Sequence, residues 1–516
     1  MPNKDKPLLK NPVILISLMV CGLILRLYHL GARSLWFDEA YTIFNGQYLA
    51  SVFFRLGALP DRYPSFLSDI PIYFWSLLAG RNEFTLRLFS VVFGLGAIWL
   101  IYKLGLKIFG QKTALIAAFL LAISPIHIYY SQELRPYSLI LFISLGSVLF
   151  LLKALEKGAL AFWAGYVILN VFNIYLHYMT IFFLFAQVIF FLIFMKDYKN
   201  QIKNWLLYNS VIFVLLVPWL INSIILLKAS LGPDLYLWVP SWVKTIGGQN
   251  IFFTIKNFSL GYNVEKQVYV FITIFFLSIL IFGISRLKKN EVKNYVLCLC
   301  CFVLPLLSMF LISKVKVWYV DRYVLGSLPF YYILISNSLA KIRTRYAFLI
   351  LGVVTLFYAF SLNNYYQDQS LDAESCIGIV YKYNYKDAAD YLAQNMEDGD
   401  MVFHTSYSST VPFMYYLKKN SLSSANESPA FVLFPVNENK IEAKEFSLKG
   451  CKFKNIEYDD LISGKRRIWL VCSDWFFNEK NCFYSKASQI ARWMQNNYQE
   501  KNSRSFKGIM LYLFER

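Results

Sequence analysis

Residues 137–153 read YSLILFISLGSVLFLLK, and this stretch decides the class of fold. It runs for 17 residues, and its only charged residue is the terminal Lys153. A helix must be about this long to cross the roughly 30 Å of hydrocarbon in a bilayer. A segment in hydrocarbon must be helical, because lipid offers no hydrogen-bond partners to its backbone groups. The stretch therefore predicts a membrane-spanning helix.

The rest of the chain repeats this pattern. Its 516 residues are 57% hydrophobic and only 16% charged, whereas a soluble globular chain is about half apolar and roughly one quarter charged. The pattern predicts a polytopic α-helical membrane protein, and the first apolar run is interpreted as an uncleaved span. The predicted spans, about eleven, lie near 11–29, 84–104, 112–128, 137–153, 159–177, 179–195, 205–226, 267–285, 295–313, 323–341 and 346–362.

The net charge of +19 indicates membrane orientation rather than nucleic-acid binding. The lysines and arginines lie in short loops between apolar runs, and they do not share one soluble face. If the N-terminus is cytoplasmic, every predicted inner loop is net positive, as the positive-inside rule requires. An odd number of spans then places residues 363–516 outside the membrane.

The tail has no long apolar runs and predicts a second domain. Helices are expected over residues 385–396 and 485–498, and short strands over 401–403, 467–472 and 509–514. This alternation predicts a small extracytoplasmic α/β domain over 363–516, after a transmembrane domain over 1–362.

Four of the eight cysteines lie in this tail. An oxidising compartment would allow one or two disulfides, and the spacing leaves their pairing open. These cysteines are Cys376, Cys451, Cys472 and Cys482.

Two adjacent acids, Asp38 and Glu39, follow the first span in a long outer loop over residues 30–83. Asp38, Thr42 and Asn45 would share one face of a helix, at positions i, i+4 and i+7. A helix lying in the membrane interface would hold the acids at the bilayer surface, where a carboxylate can take a proton from an acceptor hydroxyl. The alternative is a capped interfacial helix with solvated acids. Another face of this helix, which is apolar, would carry Tyr41, Phe44, Tyr48 and Val52.

Two arginines lie at the predicted outer ends of spans. Arg135 ends the second outer loop beside Glu133, and Arg322 follows Asp321 at the start of the tenth span. The forked donors of a guanidinium group suit a phosphate. The alternative is interfacial anchoring, which is also the default interpretation of His177, between spans five and six.

The stretch LWFDEA at residues 35–40 resembles the aspartate–glutamate motif in the first outer loop of GT-C glycosyltransferases. The branch that it resembles includes protein O-mannosyltransferases and the bacterial enzyme that transfers aminoarabinose to lipid A. Three further stretches agree in order and extend the resemblance over most of residues 15–340. These are Glu83–Leu88 with Phe93–Gly94, Ser131–Tyr137, and Arg322–Tyr323 with Leu328–Pro329.

The resemblance implies a donor sugar carried on a polyprenyl phosphate and presented at the outer surface of a bacterial inner membrane. Asp38 would be the general base, and Glu39 would orient Asp38 or the acceptor, which is a lipid, glycan or protein hydroxyl. One displacement would invert the anomeric carbon. Arg135 and Arg322, with Tyr137 as a hydrogen-bond donor, would stabilise the departing lipid phosphate.

The stretch before the second span departs from this branch. One of its two prolines is missing, and Asp69 stands where a cation is common. Asp69, Glu133 and His177 are the residues considered for the acceptor or for a metal. No cofactor is required by the resemblance, but a divalent metal stays open, since Asp38, Glu39 and Asp69 could converge.

A transporter or flippase for a lipid-linked or polar substrate is the alternative function. Such a protein usually places ionisable residues near the bilayer midplane, on broken helices. Here the acids and arginines lie at one predicted membrane face instead. A catalytically inactive relative is a third alternative, against which the intact Asp38–Glu39 pair argues.

Overall fold

The computed structural model of the protein describes residues 12–56, 65, 67–230, 249–264, 266–314, 319–369, 383–420, 430–437, 440–447, 452–456, 466–473 and 486–515. Contacts divide the chain into two compact units. A helical unit takes in residues 1–29, 58–68 and 87–379, and a sheet unit takes in 30–57, 69–86 and 380–516. The predicted domains, 1–362 and 363–516, stay a prediction.

The described part of the chain is mostly helical. Its α-helices are α1 Pro12–Leu27, α2 Phe37–Leu56, α3 Ile70–Ala79, α4 Glu83–Phe109, α5 Gln111–Ile123, α6 Pro125–Ser131, α7 Tyr137–Lys157, α8 Leu160–Leu176, α9 Ile181–Ile193, α10 Ile202–Ser230, α11 Gln249–Leu260, α12 Lys266–Ser285, α13 Val292–Ser313, α14 Leu328–Ala340, α15 Thr344–Tyr366, α16 Tyr385–Asn395, α17 Tyr407–Asn420 and α18 Lys486–Asn497.

Every predicted span coincides with a helix of the helical unit, and the third span coincides with the pair α5 and α6. Among the described residues, six helices are long and apolar enough to cross a membrane, or seven if α5 and α6 form one broken span. Shorter apolar helices, among them α1 and α8, fall below that length. The chain therefore has the helices of a multi-pass membrane protein.

The tenth span begins later than predicted. Residues Asp321–Ser327 form a 3-10 helix, and the α-helix α14 starts only at Leu328. Its 13 residues rise about 20 Å, too short for the hydrocarbon core alone. The seven-residue 3-10 segment before it is interrupted by a kink at Val324. Residues Leu328 to Leu339 are all buried, so α14 lies inside the helical unit.

The third span is broken. Its two halves, α5 and α6, are bent by 59° at Ser124, where Pro125 cannot donate a backbone hydrogen bond. The Ser124 side chain caps α6 by accepting from the amide of His127 at 3.3 Å. This break turns the chain toward the second outer loop, which contains Arg135.

The sheet unit contains a seven-stranded sheet in the order β4-β3-β2-β1-β5-β7-β6. β1 is parallel to β2 and β5, and the other neighbouring strands are antiparallel. The predicted strands correspond to β1, β5 and β7, and the predicted helices to α16 and α18. The strands are β1 Met401–His404, β2 Ala430–Asn437, β3 Lys440–Ser447, β4 Lys452–Ile456, β5 Arg467–Cys472, β6 Gln499–Phe506 and β7 Ile509–Glu515.

Helices cover both faces of the central strands. On one face, Ile490 and Met494 of α18 pack with Phe403, Ile468 and Leu470. α16 packs against β7, and α17 packs against β1 and β2. Consecutive residues of β5 are therefore all buried from Ile468 to Cys472, as expected of a central strand in a layered α/β unit.

Some predicted features of the tail lie outside the described residues. These are Cys376, Cys451 and Cys482. The fourth cysteine, Cys472, is buried on β5 and packs in the core beneath α18.

Candidate active site

Glu39 caps the helix that carries the acid motif. The helix α2 begins at Phe37, and the backbone amide of Trp36 donates to Glu39 Oε2 at 3.3 Å. This is the reciprocal half of a capping box, in which an acid at the third helical position binds the amide of the capping residue. Glu39 is 0% exposed, so its first role is to fix the start of α2.

Asp38 lies in the first turn of α2 and is only partly buried. Two residues of its predicted helix face bind Asp69. Thr42 Oγ1 donates to Asp69 Oδ1 at 3.3 Å, and Asn45 Nδ2 donates to Asp69 Oδ2 at 2.6 Å. Sequence reasoning thus identified the polar face of α2. It did not identify Asp69, which immediately precedes α3, as the residue that this face binds.

A glycine allows this contact between α2 and α3. A Cβ atom at Gly46 would lie 2.5 Å from the carbonyl oxygen of Asp69 and 2.7 Å from Tyr73 Cβ. No real side chain tolerates such a distance, so the two helices can approach only at a glycine.

The acids do not assemble as a metal site. Within the described ranges, no group of three or more His, Cys, Asp or Glu side chains is placed to hold a metal ion. The convergence of Asp38, Glu39 and Asp69 into a ligand set, which the sequence left open, is therefore not observed. Both oxygens of Asp69 accept hydrogen bonds from α2 instead.

Within the sheet unit, α2 is held in place by its contacts with α17. The amide of Leu35 donates to the Tyr416 hydroxyl at 2.7 Å, and the rings of Phe44 and Tyr415 meet edge to face at 6.4 Å. Phe44 was expected to face lipid. Its ring contacts Tyr415 of α17 instead, so α17 covers this part of the apolar face of α2.

In the helical unit, the three residues predicted to bind phosphate lie together. The guanidinium carbon of Arg135 is 5.9 Å from the Tyr137 ring centroid, and that of Arg322 is 5.8 Å from the same centroid. Arg322 also lies 5.7 Å from the Tyr323 ring. We call Arg135, Tyr137, Arg322 and Tyr323 the arginine cluster.

His177 lies beside the arginine cluster as a neutral side chain. Its ring centroid is 4.6 Å from that of Tyr323 and 6.5 Å from that of Tyr137. Burial, and then the positive charges of Arg135 and Arg322, lower the pKa of His177 to about 3. Nδ1 accepts from the Met179 amide at 3.3 Å, which assigns the proton to Nε2. His177 therefore offers a neutral N–H donor.

Glu133 is buried at the turn that delivers Arg135. Its carbonyl oxygen accepts from the Ser90 hydroxyl at 2.5 Å and from the Arg135 amide at 2.8 Å. These backbone contacts tie the second outer loop to α4. The backbone of Glu133 thus helps to position Arg135.

A buried carboxylate, Asp321, immediately precedes Arg322. Its Oδ2 accepts from Asn257 Nδ2 at 2.6 Å and from the Tyr262 hydroxyl at 3.0 Å. The Tyr262 and Tyr130 hydroxyls are 2.7 Å apart. Burial raises the pKa of Asp321, and these hydrogen bonds oppose that rise. Sequence reasoning missed Asn257 and Tyr262, because α11 lies in a loop for which no helix was predicted.

Arg26 is a second residue that sequence reasoning missed. It is 0% exposed within α1, and it donates to the Leu121 and Ala122 carbonyls at 3.2 and 2.9 Å. These carbonyls end α5, where the broken span leaves them without helical partners. Arg26 Nε also donates to Ser131 Oγ at 3.2 Å. The arginine therefore joins the two halves of the break.

Gly94 lies against this junction. A Cβ atom there would come 2.4 Å from Ser131 Oγ and 3.3 Å from Arg26 Nε. The glycine of the predicted Phe93–Gly94 signature is thus explained by close packing of α4 on the broken span.

One family model matches part of the chain. The family is described as dolichyl-phosphate-mannose-protein mannosyltransferase, and the match covers residues 69–222. That range includes Asp69, Arg135, Tyr137 and His177, while Asp38 and Arg322 lie beyond it. No curated protein sequence matches the chain.

Solved structures share the fold over nearly the whole chain. ArnT from Cupriavidus metallidurans in the apo state has a TM-score of 0.59 at 13% identity, covering 96% of this chain and 97% of that one. The same protein bound to undecaprenyl phosphate gives 0.58 at 12% identity, with the same coverage. At such identities the likeness establishes the fold, and it confirms the expected architecture.

An archaeal structure has the same fold. The oligosaccharyltransferase AglB from Archaeoglobus fulgidus, in complex with an inhibitory peptide and a dolichol-phosphate, has a TM-score of 0.52 at 12% identity. The match covers 96% of this chain and 74% of that one. The fold is therefore common to proteins from bacteria and archaea.

Proposed function

We propose, from a chain that has the fold of the GT-C glycosyltransferases, that this protein transfers a sugar from a polyprenyl-phosphate donor to an acceptor hydroxyl. The acceptor is a lipid, a glycan or a protein. Asp38 is the general base of the reaction, and Glu39 holds the start of its helix.

The observation that carries the proposal is the arginine cluster. Two guanidinium groups from distant parts of the sequence lie over one tyrosine ring. Guanidinium groups bind phosphate oxygens through two parallel donors, and the ring face of Tyr137 stabilises both cations by roughly 0.5–2 kcal/mol each. His177 adds a neutral donor beside them. Such a cluster suits a ligand that carries a phosphate.

The two related solved structures in the preceding comparison bind undecaprenyl phosphate and a dolichol-phosphate. We extend this ligand class to the present chain. A lipid phosphate also explains why the arginines flank predicted spans, since a polyprenyl chain keeps its headgroup at the membrane surface.

The chemistry is a single displacement. The acceptor oxygen forms a bond to the anomeric carbon, and the bond from that carbon to the phosphate oxygen breaks. The acceptor proton passes to Asp38, and the electron pair leaves with the polyprenyl phosphate. Arg135 and Arg322 stabilise the negative charge that develops on this phosphate. Attack opposite the leaving group inverts the anomeric configuration.

We also propose the orientation that the loop charges predict. The N-terminus is cytoplasmic, and the C-terminal residues lie in the periplasm of a bacterial inner membrane. The reaction then takes place at the outer face, where Asp38 is expected.

The test is the release of label from a panel of radiolabelled undecaprenyl-phosphate sugars, carrying mannose, glucose, galactose or arabinose. Wild-type protein in native membranes should consume at least one donor, and Arg135→Gln and Arg322→Gln should each slow its consumption at least tenfold. The exposed loop residue Arg286 supplies a matched control, since Arg286→Gln removes a cation without touching the cluster.

A result in which all three glutamine variants match wild type would overturn the assignment of the arginine cluster. Movement of an intact lipid-linked sugar across the membrane, without release from its phosphate, would support the transporter or flippase instead.

A further inference from the structure

Two buried acceptor oxygens next to the arginine cluster receive no hydrogen bond from the part of the chain that the structure describes. They are Asp321 Oδ1 and Asn257 Oδ1. Asp321 is 4% exposed, and so is Asn257. The Arg322 amide lies close enough to favour the charged carboxylate, but it completes no hydrogen bond to Oδ1.

The geometry fixes which atom of the Asn257 side-chain amide does not bind Asp321. Asp321 Oδ2 is an acceptor, so Asn257 must present Nδ2 to it, at 2.6 Å. The amide oxygen of Asn257 then points away from this bond. Asp321 Oδ1 and Asn257 Oδ1 are therefore two acceptor oxygens that remain to be satisfied.

Buried acceptors without donors are costly. Each loses the hydrogen bonds that water gave it, at about 1–3 kcal/mol per group, and native structures rarely leave two in contact. Tyr262 and Asn257 already satisfy Oδ2 of the same carboxylate. A ligand that brings its own hydrogen-bond donors would satisfy the other two oxygens.

The pair is joined to the arginine cluster. Asp321 shares the 3-10 segment with Arg322. Its partner Tyr262 hydrogen-bonds to Tyr130, and the Tyr130 ring meets the Tyr137 ring at 5.2 Å. A ligand whose phosphate lies on Arg322 would thus have its next group near the acceptor pair.

We propose that Asp321 and Asn257 form a subsite that accepts hydrogen bonds from the hydroxyl groups of the donor sugar. This inference rests on the proposed function, because it takes the phosphate of the arginine cluster to carry a sugar. It names a polyhydroxyl group as the chemistry recognised there, and it makes Asp321 a residue that discriminates a glycosylated lipid phosphate from a bare one.

The test compares two lipid probes on the purified full-length protein. One is undecaprenyl phosphate, and the other is the set of undecaprenyl-phosphate sugars named above. The variant Asp321→Asn keeps one oxygen to accept from Asn257 and Tyr262, so the buried network stays closed, but it replaces the free acceptor with a donor. Thr254→Val is the matched control, since it removes a buried hydrogen bond to Tyr319 one turn away on α11.

We expect wild type to bind at least one sugar-bearing lipid more tightly than the bare lipid. Asp321→Asn should weaken that binding by about ten- to a hundredfold, as for a lost hydrogen bond to a charged acceptor, and should leave binding of undecaprenyl phosphate within a factor of about two. Thr254→Val should change neither. Arg322→Gln should weaken both probes.

The inference is overturned if wild type does not prefer any sugar-bearing lipid, or if Asp321→Asn affects both probes alike. Unchanged binding of both would mean that water alone satisfies the two oxygens. If wild type binds neither probe, the proposed function fails and this inference fails with it. If Arg322→Gln weakens lipid binding but Asp321→Asn has no effect specific to the sugar-bearing lipids, this inference is wrong and the proposed function stands.

Discussion

Tyr137 links two arginines that the sequence keeps far apart. Its ring face attracts both guanidinium groups, at 5.9 and 5.8 Å, while its hydroxyl was predicted to donate to the phosphate. These two contributions can be separated, because phenylalanine keeps the ring and leucine does not.

We therefore expect Tyr137→Phe to bind undecaprenyl phosphate within about threefold of wild type, since the ring face still orders both arginines. Tyr137→Leu should weaken binding at least tenfold through loss of cation–π contacts. Isothermal titration in detergent measures both. Equal losses in the two variants would show that the hydroxyl, and not the ring, is what the ligand uses.

Adjacent acids on α2 have different surroundings. Asp38 is partly exposed, whereas Glu39 is buried and binds the amide of Trp36. We expect Glu39→Ala to destabilise the protein by about 1 kcal/mol, as other lost caps do, and Asp38→Asn to leave stability unchanged. Thermal unfolding followed by tryptophan fluorescence measures the difference. A larger loss of stability in Asp38→Asn would contradict this division of roles.

The sequence identified most of these residues by type and position. Adjacent acids after a span, and arginines at span ends, are visible without coordinates. The partners were not visible, because they are distant in sequence: Asp69 for Thr42 and Asn45, and Asn257 for Asp321. Arg26 escaped notice because one cation near the end of a predicted span resembles an ordinary anchoring residue.

At the scale of elements, the break between α5 and α6 sets the course of the second outer loop. The Ser124–Pro125 pair permits the bend, and Arg26 binds the carbonyls that the bend exposes. Pro125 was visible in the sequence. The bend itself was not predicted, since the predicted span of residues 112–128 runs across it and the Ser124–Pro125 pair was not interpreted as a break.

We expect Arg26→Met to destabilise the protein by about 1–3 kcal/mol, because it removes the side-chain donor of the buried Ala122 carbonyl. The midpoint of thermal inactivation in detergent should fall, while Arg286→Met, at an exposed position, should leave it unchanged. If Arg26→Met is as stable as wild type, then water or a neighbouring group caps α5, and the role given to Arg26 is wrong.

Three of the seven strands, β1, β5 and β7, were predicted from the sequence, and both the apolar strand β2 and the polar strand β6 were missed. β1, β5 and β7 are short runs of mostly apolar residues, the signal expected of a buried strand. β6 is exposed along nearly its whole length, and its polar sequence carries no such signal. Its pairing with β7 comes from tertiary contact, which no local pattern contains.

His404 at the end of β1 gives this sheet a measurable pH dependence. Burial lowers its pKa to about 3, against an ordinary value of 6.5. Between those values the unfolded chain binds a proton that the folded chain excludes, so stability falls as the pH falls from 6.5 toward 3. The expected slope is up to about 1.4 kcal/mol per pH unit.

The variant His404→Gln, which cannot titrate, should show a shallower fall over the same range when chemical unfolding is followed from pH 7 to pH 4. Superimposable profiles for variant and wild type would mean that the pKa of His404 is the same in the folded and the unfolded protein, which would contradict its lowering by burial.

For the molecule as a whole, hydropathy and loop charge were enough to predict the class of fold, because the bilayer enforces helices of a set length. Hydropathy and loop charge did not predict that residues 30–57 and 69–86 belong to the same compact unit as the tail. It depends on aromatic contacts such as Phe44 with Tyr415, which were interpreted as contacts with lipid.

The measurement that tests the account most directly is the transfer of radiolabelled sugar from the undecaprenyl-phosphate panel to acceptor-bearing membranes, by purified wild type and by Asp38→Asn. Wild type should move label from one donor to an acceptor, and the variant should do so at least a hundredfold more slowly, since general-base catalysis contributes about 10²–10⁴. Equal rates for the two proteins would contradict the assignment of Asp38 as the base.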